Sequence, residues 1–150
     1  MKFRILLLCW LLLPVAWPEA RLDWASPFAV DGVRLGDSKQ QVFKALGAPR
    51  ESSRSQLEVW KYKDLEVTFR SGDVCRLYGL ALQQNNQTLV RVGELAAVVR
   101  GRFGEPESNQ ALGVQQHPEV EVMMYQNATT TIGVFSRAGR VSLVGLSRRS

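Results

Sequence analysis

Apolar and polar positions alternate most regularly at Leu65 to Arg70, where Leu65, Val67 and Phe69 are interleaved with Glu66, Thr68 and Arg70. A period of two marks a strand with one buried and one wet face. Just upstream, Lys63-Asp64 fits a two-residue hairpin turn that sets Tyr62 opposite Leu65, Trp60 opposite Val67 and Lys61 opposite Glu66. That register buries Trp60 and Tyr62 with the aliphatic groups. Downstream, Ser71-Gly72-Asp73 reads as a three-residue loop, because Cys75 then faces Phe69 and Leu77 faces Val67. A two-residue loop would turn Arg76 toward the core, where an unpartnered charge is costly. Cys75 is therefore expected in the core. The other face of this small sheet carries Leu57, Val59, Lys61, Glu66, Thr68, Arg70, Val74, Arg76 and Tyr78.

Before these strands the period lengthens to that of a helix. Ser38 followed by Gln41 is a capping box, Val42, Phe43 and Leu46 form an apolar stripe, and Gly47 with Pro49 supplies the stop. The spacing predicts a short helix over 38–46. A second one follows, with Leu95, Val98, Val99 and Phe103 as its stripe and Gly104 and Pro106 as its stop. It has no capping side chain, and Gly101 interrupts it at a cost of about 1 kcal/mol relative to Ala. It should be the less stable of the two.

These similarities extend to an internal match. Val33-Arg34-Leu35-Gly36 through Gly47-Ala48-Pro49 realigns on Val90-Arg91-Val92-Gly93 through Gly104-Glu105-Pro106, with both glycines and the proline in register. Each copy precedes a strand-rich stretch, and each is too small to bury its own apolar face. The expected fold class is α+β: two tandem helix-plus-antiparallel-sheet repeats, 33–79 and 90–146, packed as one domain. Residues 21–32 are read as a lead-in, 80–89 as a linker and 147–150 as a basic tail. Between Pro106 and Val120 the second copy has a longer loop holding Asn109, Gln110, Gln115, Gln116 and the sole histidine, His117.

The N-terminus belongs to a different class. Lys2 and Arg4 precede an apolar run from Ile5 to Leu13 that continues to Trp17, the layout of a secretory signal over residues 1–20. Export is the expectation, with an uncleaved anchor as the alternative. Cys9 lacks the small preceding residue of a lipid-attachment signal, so lipidation is not expected. Without the leader only Cys75 remains, and no internal disulfide can form.

Composition changes the picture in one respect. The chain is 45% hydrophobic and 22% charged, with a net charge of +5, which suits a soluble domain with weak attraction to anionic membrane surfaces. No basic run is long enough for a nucleic-acid arm. Catalysis is not expected, since a hydrolase needs a nucleophile beside an oriented base and a metal site needs converging ligands. No metal and no cofactor are expected. The candidate surface is a protein-binding one: Lys61, Arg70, Arg76 and Tyr78 on the outer sheet face, with His117 in the long loop.

The run from Gly36 to Pro49, followed by Trp60-Lys61-Tyr62 and by Leu65 to Val74, resembles the SmpA/OmlA (BamE-like) family of bacterial envelope domains. The match covers about 33–79, with a degenerate copy at 90–146. Two such units in tandem resemble beta-lactamase inhibitor protein-like folds. The resemblance implies a non-catalytic envelope domain that assists outer-membrane protein assembly, or alternatively one that inhibits a secreted or periplasmic hydrolase. A small-molecule or lipid binder is a third reading. The chain departs from the family in lacking a lipid-acceptor signal and in carrying two units.

Overall fold

The computed structural model describes residues 22–111 and 119–149. The leader, most of the long loop and His117 lie outside them. Within the described residues the chain forms twelve strands and two helices. In order these are β1 Phe28–Val30, β2 Val33–Arg34, α1 Lys39–Leu46, β3 Glu51–Arg54, β4 Glu58–Lys61, β5 Glu66–Arg70, β6 Asp73–Gly79 and β7 Ala81–Gln84. They continue with β8 Gln87–Arg91, α2 Ala96–Phe103, β9 Ser108–Ala111, β10 Val120–Gln126, β11 Thr130–Arg137 and β12 Arg140–Arg148.

This corrects the expected α+β fold of two tandem helix-plus-sheet repeats. Antiparallel sheet dominates, and each helix has eight residues. The strands of both halves merge into one eight-stranded sheet, ordered β3-β4-β5-β6-β12-β11-β10-β9. A four-stranded sheet, β2-β1-β7-β8, is a second layer. It is built largely from segments read as a lead-in and a linker. The physical reason is edge satisfaction: β6 and β12 pair over Val144↔Gly79 to Ser147↔Arg76, which leaves neither half with a free inner edge.

The core lies between the two sheets. Val67, Leu77, Leu146, Ile132, Val134 and Val144 project from the large sheet, and Val30, Val33, Leu82 and Val90 meet them from the small one, all essentially inaccessible to solvent. A fully buried side chain of this size contributes about 1.5–3 kcal/mol. The helices add less, since Val42 and Val99 are their buried residues. Phe43, Leu46, Leu95 and Val98 stay exposed, contrary to the broad stripes expected of them.

Local hydrogen bonds recur in the two halves. The Gly36 amide donates to Val74 O at 2.9 Å and the Gly93 amide to Val141 O at 2.8 Å. Tyr62 and Tyr125 each donate a hydroxyl at 3.1 Å to the carbonyl of the glycine that ends a helix, Gly47 and Gly104 respectively. Burial raises the pKa of both phenols. Ser38 caps α1 with the full capping box, and Leu95 begins α2 with no side-chain cap.

The first hairpin has the expected register, Trp60↔Val67 and Lys61↔Glu66. The second does not. Its turn is the two-residue Ser71-Gly72, with φ of 54° and 93°, and Phe69 pairs with Val74. A bulge then restores Thr68↔Arg76 and Val67↔Leu77. An extra residue inserted in one strand switches side-chain parity, so Val74 is buried and Cys75 only half-buried, the reverse of their expected places.

Candidate protein-binding face

Both helices and the small sheet pack on one side of the eight-stranded sheet, and no element among the described residues covers its other face. Pairing assigns the residues of that face row by row. One row runs Val59, Thr68, Arg76, Ser147, Thr131 and Gln126, and the next Lys61, Glu66, Tyr78, Gly145, Gly133 and Met124. Beyond them lie Leu143, Phe135 and Val122.

At the centre the glycines form a cross-strand pair, Gly133↔Gly145. A Cβ at Gly145 would lie 2.9 Å from Tyr78 Cε1 and 3.3 Å from Phe135 Cε2, and one at Gly133 would lie 3.1 Å from Phe135 Cε2. The two rings thus rest against bare backbone. They meet edge to face, with centroids 6.0 Å apart and planes at 71°, an arrangement worth about 0.5–1.5 kcal/mol beyond area burial. Tyr78, Phe135, Met124 and Leu143 remain partly exposed. Adjoining them is a groove of about 420 Å³ lined by Lys61, Tyr62, Glu66, Tyr78, Leu80 and Leu143.

Along these rows the charged side chains come from β4 to β6. Lys61 is exposed, with its ammonium 3.7 Å from the Glu51 carboxylate. Arg70 and Arg76 are exposed and make no ion pair with another described residue. On β10 to β12 the same rows present the uncharged Met124, Phe135, Leu143, Thr131 and Ser147, and beyond them Arg137 pairs with Glu119 at 3.2 Å.

Four of the residues expected to bind, Lys61, Arg70, Arg76 and Tyr78, are therefore together on one surface, and His117 lies outside the described residues. Val74, assigned to the same face from sequence, belongs to the core instead, and Thr68 lies on the face but is buried within it. Sequence reasoning missed Phe135, Met124 and Leu143, because parity could not fix the register of the threonine-rich strand. The available signal was a glycine inside each of two strands, which marks close approach of another group.

A second ionic cluster sits on the covered side, at the start of α1. Glu58 accepts from the Lys39 ammonium, from Arg54 Nη2 at 2.9 Å and from Trp60 Nε1 at 2.8 Å. The Lys39 hydrogen bond, then that of Arg54, lowers the Glu58 pKa to about 2. Trp60 in turn packs edge to face on Phe69 at 4.7 Å, so the cluster orients a core side chain. Among the described residues no group of three or more His, Cys, Asp or Glu could hold a metal ion.

No helix among the described residues is long and apolar enough to cross a membrane, which leaves strand-built spans aside. No protein-family profile and no curated protein matches the chain. Solved structures share its fold at low identity. A DUF4309 family protein, YjgB, of Bacillus subtilis is 10% identical with a TM-score of 0.56, covering 81% of this chain and 82% of its own. An extracellular protein containing an SCP domain from Bacillus anthracis is 11% identical with a TM-score of 0.56, covering 75% of this chain and 43% of its own. A cysteine-rich secretory protein of Staphylococcus aureus is 12% identical with a TM-score of 0.55, covering 81% of this chain and 46% of its own. The chain thus spans less than half the length of the latter two, and the likeness to all three is one of fold.

Proposed function

We propose that this chain is a non-catalytic, exported protein that binds another protein of the bacterial cell envelope through the open face of its eight-stranded sheet. The observation that carries the reading is the Tyr78–Phe135 pair, set over Gly133 and Gly145 and left partly exposed beside Met124 and Leu143. Aromatic and methionine side chains with arginine at the margin match the composition of protein interfaces. A sheet face without such a purpose would carry short polar residues there.

The charged and apolar N-terminal run supports export, and two proteins of similar fold are described as extracellular or secretory. Release into the periplasm, or association with the outer membrane, is the location that follows. An accessory role in outer-membrane assembly is the reading that the SmpA/OmlA resemblance favours.

The test is affinity capture from envelope extracts after mild crosslinking, using the wild type and a Met124→Asp/Leu143→Asp variant. The wild type should retain a defined partner that the variant loses while keeping its circular dichroism spectrum. Equal capture by both would overturn the assignment of this face.

A further inference from the structure

We infer that the partner presents an acidic segment carrying an apolar side chain, the apolar group seated on the Tyr78–Phe135 platform and its carboxylates on Arg70 and Arg76. The inference rests on the reading above and adds the chemistry of the ligand.

Two arginines on one face that make no ion pair with a described residue are the first ground, Arg70 standing opposite Asp73 in the register and Arg76 opposite the uncharged Thr68 and Ser147. Arginine offers a planar fork of donors that matches a carboxylate, and the contact strengthens when an adjoining apolar group excludes water. Such a group is present: Tyr78 occupies the same strand as Arg76, two residues on and on the same face. A ligand lying across β6 would meet the cation and the ring together.

The second ground selects a protein over an anionic membrane. Glu66 is paired with Tyr78 on one side and with Lys61 on the other, and Glu51 faces Lys61 across β3 and β4. A uniformly negative lipid surface would be repelled at both glutamates. A polypeptide can place a basic or neutral residue there and its acidic residues over Arg70, four residues along the strand of Glu66, and Arg76 on the next strand. Interleaved charge of this kind fixes orientation and suppresses wrong partners.

The experiment titrates the full mature chain into two short fluorescein-labelled peptides, one alternating Glu with Leu and one alternating Lys with Leu, and into vesicles of phosphatidylglycerol. The Glu peptide should bind, weaken as salt is raised, and lose about tenfold or more in affinity in an Arg70→Glu/Arg76→Glu variant. Arg70→Gln/Arg76→Gln should fall between. Both positions are exposed, and an unchanged thermal transition confirms folding. Equal binding of the Lys peptide, no binding of the Glu peptide, or an unaffected charge-reversal variant overturns the inference. So does binding to vesicles alone, which would assign the surface to lipid. If the face still captures an envelope protein while the Glu peptide fails, the inference falls and the proposed function stands. If capture is also insensitive to Met124→Asp/Leu143→Asp, both fall.

Discussion

Glu58 shows how a single carboxylate can organise a corner of the molecule. It accepts from Lys39, Arg54 and Trp60 and so links the start of α1 to the indole that packs on Phe69. Its folded-state pKa of about 2 lies below the ordinary 4.5. A depressed carboxyl pKa stabilises the fold fully above the unfolded value and loses that contribution as pH falls through the folded one. Stability measured by urea denaturation should therefore decline between about pH 4.5 and pH 2. The Glu58→Gln variant should show a shallower decline over that window and be less stable by about 1 kcal/mol at neutral pH; an unchanged acid limb would remove Glu58 from this role. Gly145→Ala tests the other organising residue. Its methyl group would displace the Tyr78 ring, which should destabilise by about 1–3 kcal/mol and weaken partner capture more than it disturbs the sheet.

The two helices differ in how they begin, and this difference was legible in the sequence. Ser38 and Gln41 form the capping box that their spacing implied, while α2 starts at Leu95 with no side-chain cap, its Ala96 amide donating to Gly139 O at 2.9 Å. Ser38→Ala should destabilise by about 1 kcal/mol, whereas Leu95→Ser should stabilise by about 0.5–1 kcal/mol by supplying the missing acceptor. Thermal denaturation of the pair reads opposite signs if the caps act as described. Capping, the Lys63-Asp64 turn and the alternation of β5 were readable because each is decided by residues within a few positions. The bulge beside Cys75 was not, because a three-residue loop and a two-residue turn plus bulge satisfy the same local pattern at Leu77. β7 and β8 were missed for a related reason. Their polar run Gln83-Gln84-Asn85-Asn86-Gln87 resembles a linker, yet Asn85 and Asn86 adopt φ of 50° and 63°, the left-handed pair that a tight hairpin needs and that asparagine tolerates.

At the scale of the molecule, the two sheets are joined where β6 leaves the large sheet and β7 enters the small one. Asp31, itself at φ 48°, accepts from the Leu80 amide at 2.8 Å and the Ala81 amide at 3.1 Å. Gly79 is buried at this corner, where a Cβ would collide with the Asp31 carboxylate and lie 2.6 Å from Val30 Cγ1. Gly79→Ala should therefore destabilise by about 1–3 kcal/mol, and because the core is shared, circular dichroism and tryptophan fluorescence should report one coincident transition. Separate transitions would mean that the sheets fold independently. The long-range pairing of β6 with β12, and the packing of one sheet on the other, have no local signature, and the internal match at 33–49 and 90–106 does not carry them. What the pairing accomplishes is to bring Tyr78 from one half against Phe135 from the other, which no single half could present.

The most direct test of that assembled surface is site-specific photocrosslinking in the living envelope, with the reactive side chain placed in turn at Leu143 on the open face and at Phe43 on the exposed side of α1. The account predicts one discrete crosslinked protein from Leu143 and none from Phe43. A partner captured from Phe43 with nothing from Leu143 would contradict it.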